Sequence, residues 1–178
     1  NSTTQYQINE KGIFNKRELN AASPLFSEEL IGVSSGPFNV QTGISDNSQE
    51  QTMPYGINFY KLEGKNKRIK LLANFNTCNN VPVDTNTVKN LIDKNNSPLI
   101  IASNESIICI PYEIRPSINE LLRSDAATQL APRQQIIGTY TKNDTKFILG
   151  KPEIPLDVFI NKENYNLNEL CTIFNDCR

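Results

Sequence analysis

From residue 55 onward, apolar and polar positions fall into a rhythm that specifies strands in pairs. Tyr55, Ile57 and Phe59 alternate with polar neighbours, Glu63-Gly64-Lys65-Asn66 supplies turn chemistry, and Ile69, Leu71, Ala73 and Phe75 alternate again. A period of two around a glycine-containing turn predicts a β-hairpin with one buried face over about 55–75. The alternation turns Phe59 inward. A second hairpin is expected over about 98–110, with strands Pro98 to Ala102 and Ser106 to Ile110 around Ser103-Asn104-Glu105. Its apolar residues are continuous, which places it centrally, covered on both faces. The third hairpin spans about 134–149 around a Lys142-Asn143-Asp144 turn, and Leu156 to Ile160 adds a further strand.

Between these segments the pattern changes to helical spacing. Thr85 to Ile92 reads as a helix over about 85–94. Pro116-Ser117-Ile118-Asn119-Glu120 opens one over about 117–130, with Ser117 as cap and Glu120 completing a capping box. Asn166 and Glu169 repeat that spacing and predict a helix over about 166–175 holding Cys171 and Phe174. Local hairpins favour antiparallel pairing, so the expected class is α+β with mainly antiparallel sheet. Hairpin-then-helix recurs three times without sequence self-similarity.

The first 52 residues read differently, as an extended N-terminal arm ahead of a single compact domain over 53–178. One short helix is expected in the arm, capped by Ser23, with Pro24 in its first turn and Gly32 at its end. Phe38-Asn39-Val40 is a strand candidate, and Asp46 to Thr52 is polar throughout, like an exposed loop. An arm that wraps its own domain, or a neighbouring subunit, has this composition.

Two counts narrow the chemistry. The 178 residues include no histidine and four cysteines. Without imidazole, Ser-His-Asp and Cys-His catalysis are excluded and most zinc sites with them. The cysteines show no C-x-x-C spacing of a zinc ribbon or a thioredoxin-like site. Of the three pairings, Cys78–Cys109 with Cys171–Cys177 closes the shortest loops. The chain-entropy relation gives roughly 3–4 kcal/mol for the first bridge and roughly 2 for the second. The opposing reading is four reduced thiols in a cytosolic protein. Two bridges imply an oxidising, extracytoplasmic compartment. The polar opening Asn1-Ser-Thr-Thr-Gln suits a mature secreted protein, or the tether that follows a lipidated cysteine upstream of Asn1.

Lys and Arg total 18 against 19 Asp and Glu, a net charge of −1, which gives no reason to expect nucleic acid or anionic membrane as partner. No apolar run approaches 18 residues, so no transmembrane segment is expected. A near-neutral surface is disposed to associate with proteins, its own copies included.

Each remaining motif has a sharper and a plainer reading. Gly32-Val33-Ser34-Ser35-Gly36 matches a nucleophile elbow but has no histidine to take the serine proton. Lys61, Lys65, Lys67, Arg68 and Lys70 form the densest basic cluster: an anion contact, or a solvated hairpin tip. Asp93 to Ser97 opens like a calcium loop, but Pro98 stands where glycine is needed and Asn104 where glutamate is. Glu105, Glu113, Glu120, Asp125, Glu153 and Asp157 could supply an acid pair, with solvated surface charge as the default and Asp157 turned outward from its strand. Asn1, Asn95, Asn104 and Asn143 begin N-x-Ser/Thr sequons, the last two at expected hairpin turns.

The sequence therefore points to an exported, disulfide-stapled, non-catalytic protein. It would be a protein-binding or structural subunit of a cell-envelope or secretion assembly, or a secreted surface factor. It would work with a protein partner or as an oligomer and without a cofactor or metal. A ligand- or glycan-binding module and a carboxylate-dependent hydrolase are the alternatives.

Overall fold

The structure, a computed structural model, describes residues 29–37, 42–46, 48–78, 85–94, 98–105 and 109–169. In chain order the strands are β1 (Leu30–Ser35), β2 (Gly43–Ser45), β3 (Glu50–Thr52), β4 (Gly56–Glu63) and β5 (Arg68–Phe75). Helix α1 (Thr85–Lys94) and β6 (Leu99–Asn104) follow, then a 3-10 turn (Tyr112–Ile114), α2 (Arg115–Leu122) and α3 (Ala126–Gln129). The last strands are β7 (Ile136–Thr141), β8 (Asp144–Leu149), β9 (Leu156–Asn161) and β10 (Leu167–Glu169). They build two five-stranded antiparallel sheets, ordered β10-β9-β1-β2-β3 and β5-β4-β6-β7-β8. The class is α+β, as expected.

The second sheet is the middle layer, because both of its faces are apolar. Ile57, Phe59, Leu99, Ile101 and Ile136 pack against Ile114, Ile118, Leu121, Leu122, Ala126 and Leu130 from the helical side. Tyr60, Ile69, Ile100, Ala102 and Ile137 meet Ile31, Val33, Ile44, Leu156, Val158 and Ile160 of the first sheet. The layers run sheet, sheet, helices. Phe59 faces inward and meets Phe75 edge-on at 5.9 Å.

The first hairpin forms, β4 with β5, and the third forms with a two-residue Lys142-Asn143 turn. The middle segment differs in detail. Leu99 to Ala102 are fully buried and central, as the continuous apolar run demands, but β6 lies between β4 and β7. Cys109 and Ile110 are not in a strand; the Cys109 carbonyl instead accepts the Thr77 N–H at 2.9 Å. An apolar run tells burial, not which neighbour a strand takes.

Three further expectations give way to local chemistry. The helix over 117–130 is two helices. Arg123 takes a left-handed φ of 54°, and Arg123 and Ser124 N–H groups close on the Glu120 and Asn119 carbonyls. That closure is a Schellman motif, made with arginine where glycine is usual. The first of the two begins at Arg115, set by Pro116, and Ile114 precedes it without a side-chain cap; Ser117 is buried instead. The helix over 166–175 is replaced in its described part by β10, paired with β9. Asn161 Oδ1 accepts the Glu163 N–H at 2.8 Å, so asparagine chemistry here closes a turn.

The arm is corrected from Leu30 onward. Leu30 to Gly32, expected to end a helix, begin β1, the central strand of the first sheet. The polar stretch after Asp46 is a hairpin of β2 and β3, closed by Asp46 Oδ1 accepting the Ser48 and Gln49 N–H groups at 2.8 and 2.9 Å. Residues 1–28 and the strand candidate 38–40 lie outside the described residues, as do residues 95–97 of the calcium-like loop and Cys171 and Cys177.

Candidate functional site

One end of the sandwich collects most of the chain's unusual chemistry. There β1 and β6 finish, β4, β7 and β9 begin, and the Glu105 N–H donates to the Gly36 carbonyl at 3.0 Å to join the two sheets. Cys78 and Cys109 are bridged, with Cα atoms 4.9 Å apart, as the sequence pairing predicts. Cys78 is exposed and Cys109 fully buried. The bridge fixes the segment leading into Pro111 and the 3-10 turn.

On that turn Tyr112 is 70% exposed, and the Arg115 guanidinium sits 5.2 Å from its ring centroid. Arg115 is itself buried and donates from Nη2 to the Ile110 carbonyl at 3.1 Å. Burial pulls the guanidinium below its ordinary pKa, with Tyr112 and Glu113 acting in opposition. Tyr55 is exposed at the same end, just before β4. Its carbonyl accepts Asn74 Nδ2 at 2.9 Å, while Asn58 Nδ2 holds the Pro54 carbonyl at 2.9 Å. Asn58 and Asn74 are joined at 2.7 Å, so the loop carrying Tyr55 is clamped by two asparagines.

Two of the six candidate acids are also at this end, and both overturn the solvated default. Glu105 and Asp157 are fully buried. Asp157 lies opposite Ser34 in the β1–β9 register and accepts the Ser34 hydroxyl at 2.5 Å. Ser34 therefore sits in a strand, not on a strand-to-helix elbow. Glu105 pairs with Arg133 Nε at 3.3 Å, and Arg133 reaches Glu153 at 3.5 Å. All three residues of this network have left-handed φ values, 58°, 59° and 66°. Such conformations cost a non-glycine residue on the order of 1 kcal/mol and persist only where the surroundings enforce them. Backbone bonds hold two of them, the Glu105 N–H to the Gly36 carbonyl and the Glu153 N–H to the Arg133 carbonyl at 2.9 Å, and beside them Ser103 donates to Gln135 Oε1 at 2.9 Å and accepts the Ile136 N–H at 2.8 Å. Glu113, Glu120, Asp125 and Glu153 are exposed.

Asn104 is corrected as a sequon site. It is fully buried, with Nδ2 donating to Thr42 Oγ1 and the Met53 carbonyl at 3.0 and 2.8 Å. Asn143 is exposed on its turn.

The basic cluster lies at the opposite end. Lys61 and Lys70 are cross-strand neighbours and share Glu63, at 3.1 and 3.4 Å, which hold its carboxyl below the usual range. Lys67 reaches Glu163 at 3.2 Å, and Lys65 and Arg68 are exposed. The same end holds a feature with no sequence signal, the ion pair between Lys162 and Asp46 at 2.9 Å, both buried. Residues 116 apart in the chain meet there only because β9 and β2 flank β1.

Among the described residues, no three His, Cys, Asp or Glu side chains gather as a metal site, and no helix is long and apolar enough to cross a membrane. No protein-family model matches this chain, and no curated protein sequence matches it.

Proposed function

We propose that this chain is a non-catalytic binding protein of an oxidising, extracytoplasmic compartment, and that it meets a protein partner through its disulfide end. It would serve there as a subunit of an envelope or secretion assembly, or as a surface factor. The observation that carries this reading is Tyr112. A large aromatic ring is held in solvent, over a buried guanidinium, on a turn fixed by a disulfide. Tyrosine offers wide contact area for little conformational entropy, and a ring already held in place loses less on binding. Tyr55, clamped at the same end, extends the surface. The burial of two of the six candidate acids, Glu105 and Asp157, and their engagement by Arg133 and Ser34 favour this reading over the carboxylate-dependent hydrolase.

A photo-crosslinking amino acid placed at position 112, at 55 and at 142 on the far turn, in the native host, tests the assignment. A discrete protein adduct is expected at 112 and 55 and not at 142. Equal adducts at all three positions, or none at 112, would overturn it. Alkylation of the native protein without reductant tests the compartment: Cys78 labelled in protein freshly isolated from the host would place it elsewhere.

A further inference from the structure

One edge of the second sheet carries an inference that goes beyond the tyrosine surface and does not rest on it. Four strands end the two sheets, β10 and β3 in the first and β5 and β8 in the second. β10 and β3 have three residues each, too few to template a partner strand. β8 is flanked on both faces: Thr145 Oγ1 donates to the Leu121 carbonyl in α2, and Lys146 Nζ donates to Asn166, just ahead of β10. β5 differs. It has eight residues, roughly 27 Å, and of the described elements only β4 lies closely along it. Among the described residues its backbone makes one hydrogen bond besides the ladder to β4, where the Ile69 carbonyl accepts Gln51 Nε2 at 2.9 Å. Leu71 packs toward the first sheet, and Leu72, which the β4–β5 register skips, packs with Ala73 toward the helices. All three are nevertheless only half-buried.

The edge also carries one sign of charge. The β4–β5 hairpin holds Lys61, Lys65, Lys67, Arg68 and Lys70 against Glu63 alone, in a chain of net charge −1. Glu63 and Glu163 answer three of these cations, Lys61, Lys70 and Lys67, and the surplus stays positive. Arg68 and Lys70 are exposed and two residues apart, so they share a face. Charges on an edge discourage pairing between copies, whereas opposite charges across a strand pair stabilise it. We infer that β5 is a strand-addition site for a protein partner. The partner segment is extended, with two acidic residues, two apart, beside Arg68 and Lys70 and apolar residues beside Leu71 to Ala73. Main-chain hydrogen bonds to the open side of β5 supply affinity, and the alternating side chains supply specificity. Such a strand covers Leu71 on one face and Leu72 and Ala73 on the other. A polyanion needs only the basic side chains; the open backbone and half-buried leucines fit a strand.

Amide exchange followed by NMR on the full-length oxidised chain tests this with two defined peptides, acetyl-Asp-Val-Asp-Val-Thr-Val-amide and its Lys-Val-Lys-Val-Thr-Val counterpart. In the free protein, alternate amides within residues 70–74 are expected to exchange fast. The acidic peptide should slow them at least about fivefold and leave β8 unchanged. The lysine peptide should bind at least about tenfold more weakly. Arg68→Glu with Lys70→Glu should reverse that order. Arg68→Gln with Lys70→Gln serves if the reversed variant does not fold, and should abolish the difference. No slowing by the acidic peptide overturns the inference, as does protection of every amide in 70–74 before peptide is added. So does equal slowing at β8, or a response of the basic side chains without backbone protection, which would mean an anion contact only. Protection that grows with protein concentration alone would make the occupant a second copy and overturn it equally.

Discussion

Asp46 shows how a single carboxylate fastens two distant turns. Burial, the largest single influence, pushes its pKa up, but Lys162 Nζ, the Ser48 N–H and hydroxyl, and Gln49 together overcome that and leave it at about 2, from an ordinary 3.8. The folded value is depressed, so the stabilisation is complete above about pH 4 and disappears as pH falls from there toward 2. A shift of nearly two units corresponds to roughly 2–3 kcal/mol. Removing one partner leaves the other charge buried, so Lys162→Met should cost about 3 kcal/mol in urea unfolding at pH 7. Lys67→Met, which breaks the exposed pair with Glu163, should cost under about 1. The acid limb of the stability profile should be shallower between pH 4 and 2 in Asp46→Asn than in the wild type. Equal costs for the two lysines, or an unchanged limb, would refute the account. None of this was legible in the sequence, where Asp46 reads as the start of an exposed loop and nothing singles out Lys162; a pairing across 116 residues has no local periodicity.

At the scale of elements, legibility tracked whether a signal was local. The β4–β5 and β7–β8 hairpins carry their alternation and turn residues within about twenty positions, and both form. Capping-box spacing failed at Ser117, because the helix already begins at Arg115 and Ser117 is buried within it, and again at Asn166, whose N–H donates to Asn164 Oδ1 just ahead of a strand. Gly32 and Ser34 read as loop because small residues in a strand look like punctuation, yet both are buried in β1. Gly56 shows a glycine that the register itself demands. Its φ is +105°, and a Cβ there would stand 2.2 Å from the Phe75 carbonyl oxygen, backbone that cannot yield without parting β4 from β5. Gly64, at φ +79°, has open space around it. Gly56→Ala is therefore expected to cost about 3 kcal/mol, from strain plus overpacking, against about 1 for Gly64→Ala. Chemical denaturation with unchanged slope measures both; equal losses would mean that the close approach relaxes freely.

The whole molecule is a sandwich with a helical layer on one side, and its layers do not depend equally on the bridge. The disulfide joins residues 31 apart, and the loop it closes contains α1 and the middle strand β6. Cross-linking a loop of that length is worth about 3–4 kcal/mol in the chain-entropy relation, a large share of a small domain's 5–15. Yet β6 is also held by β4 and β7 and is fully buried on both faces, whereas the segment from Cys109 to Tyr112 is tied to β5 by the bridge and the Thr77–Cys109 hydrogen bond. The sequence made the pairing readable through loop length, but not its consequence, because that depends on which layer each end joins. Cys78→Ala with Cys109→Ala should lower unfolding stability by about 3–4 kcal/mol while leaving the far-ultraviolet spectrum at 25 °C close to native. Native-state hydrogen exchange should then open the 3-10 turn and α1 well before β4, β6 and β7. Crosslinking through position 112 should fall in the same variant, since the ring would no longer be presented in one place. If the sheets and the turn instead open together, the bridge is a staple for the entire domain and the tyrosine end has no separate mechanical identity.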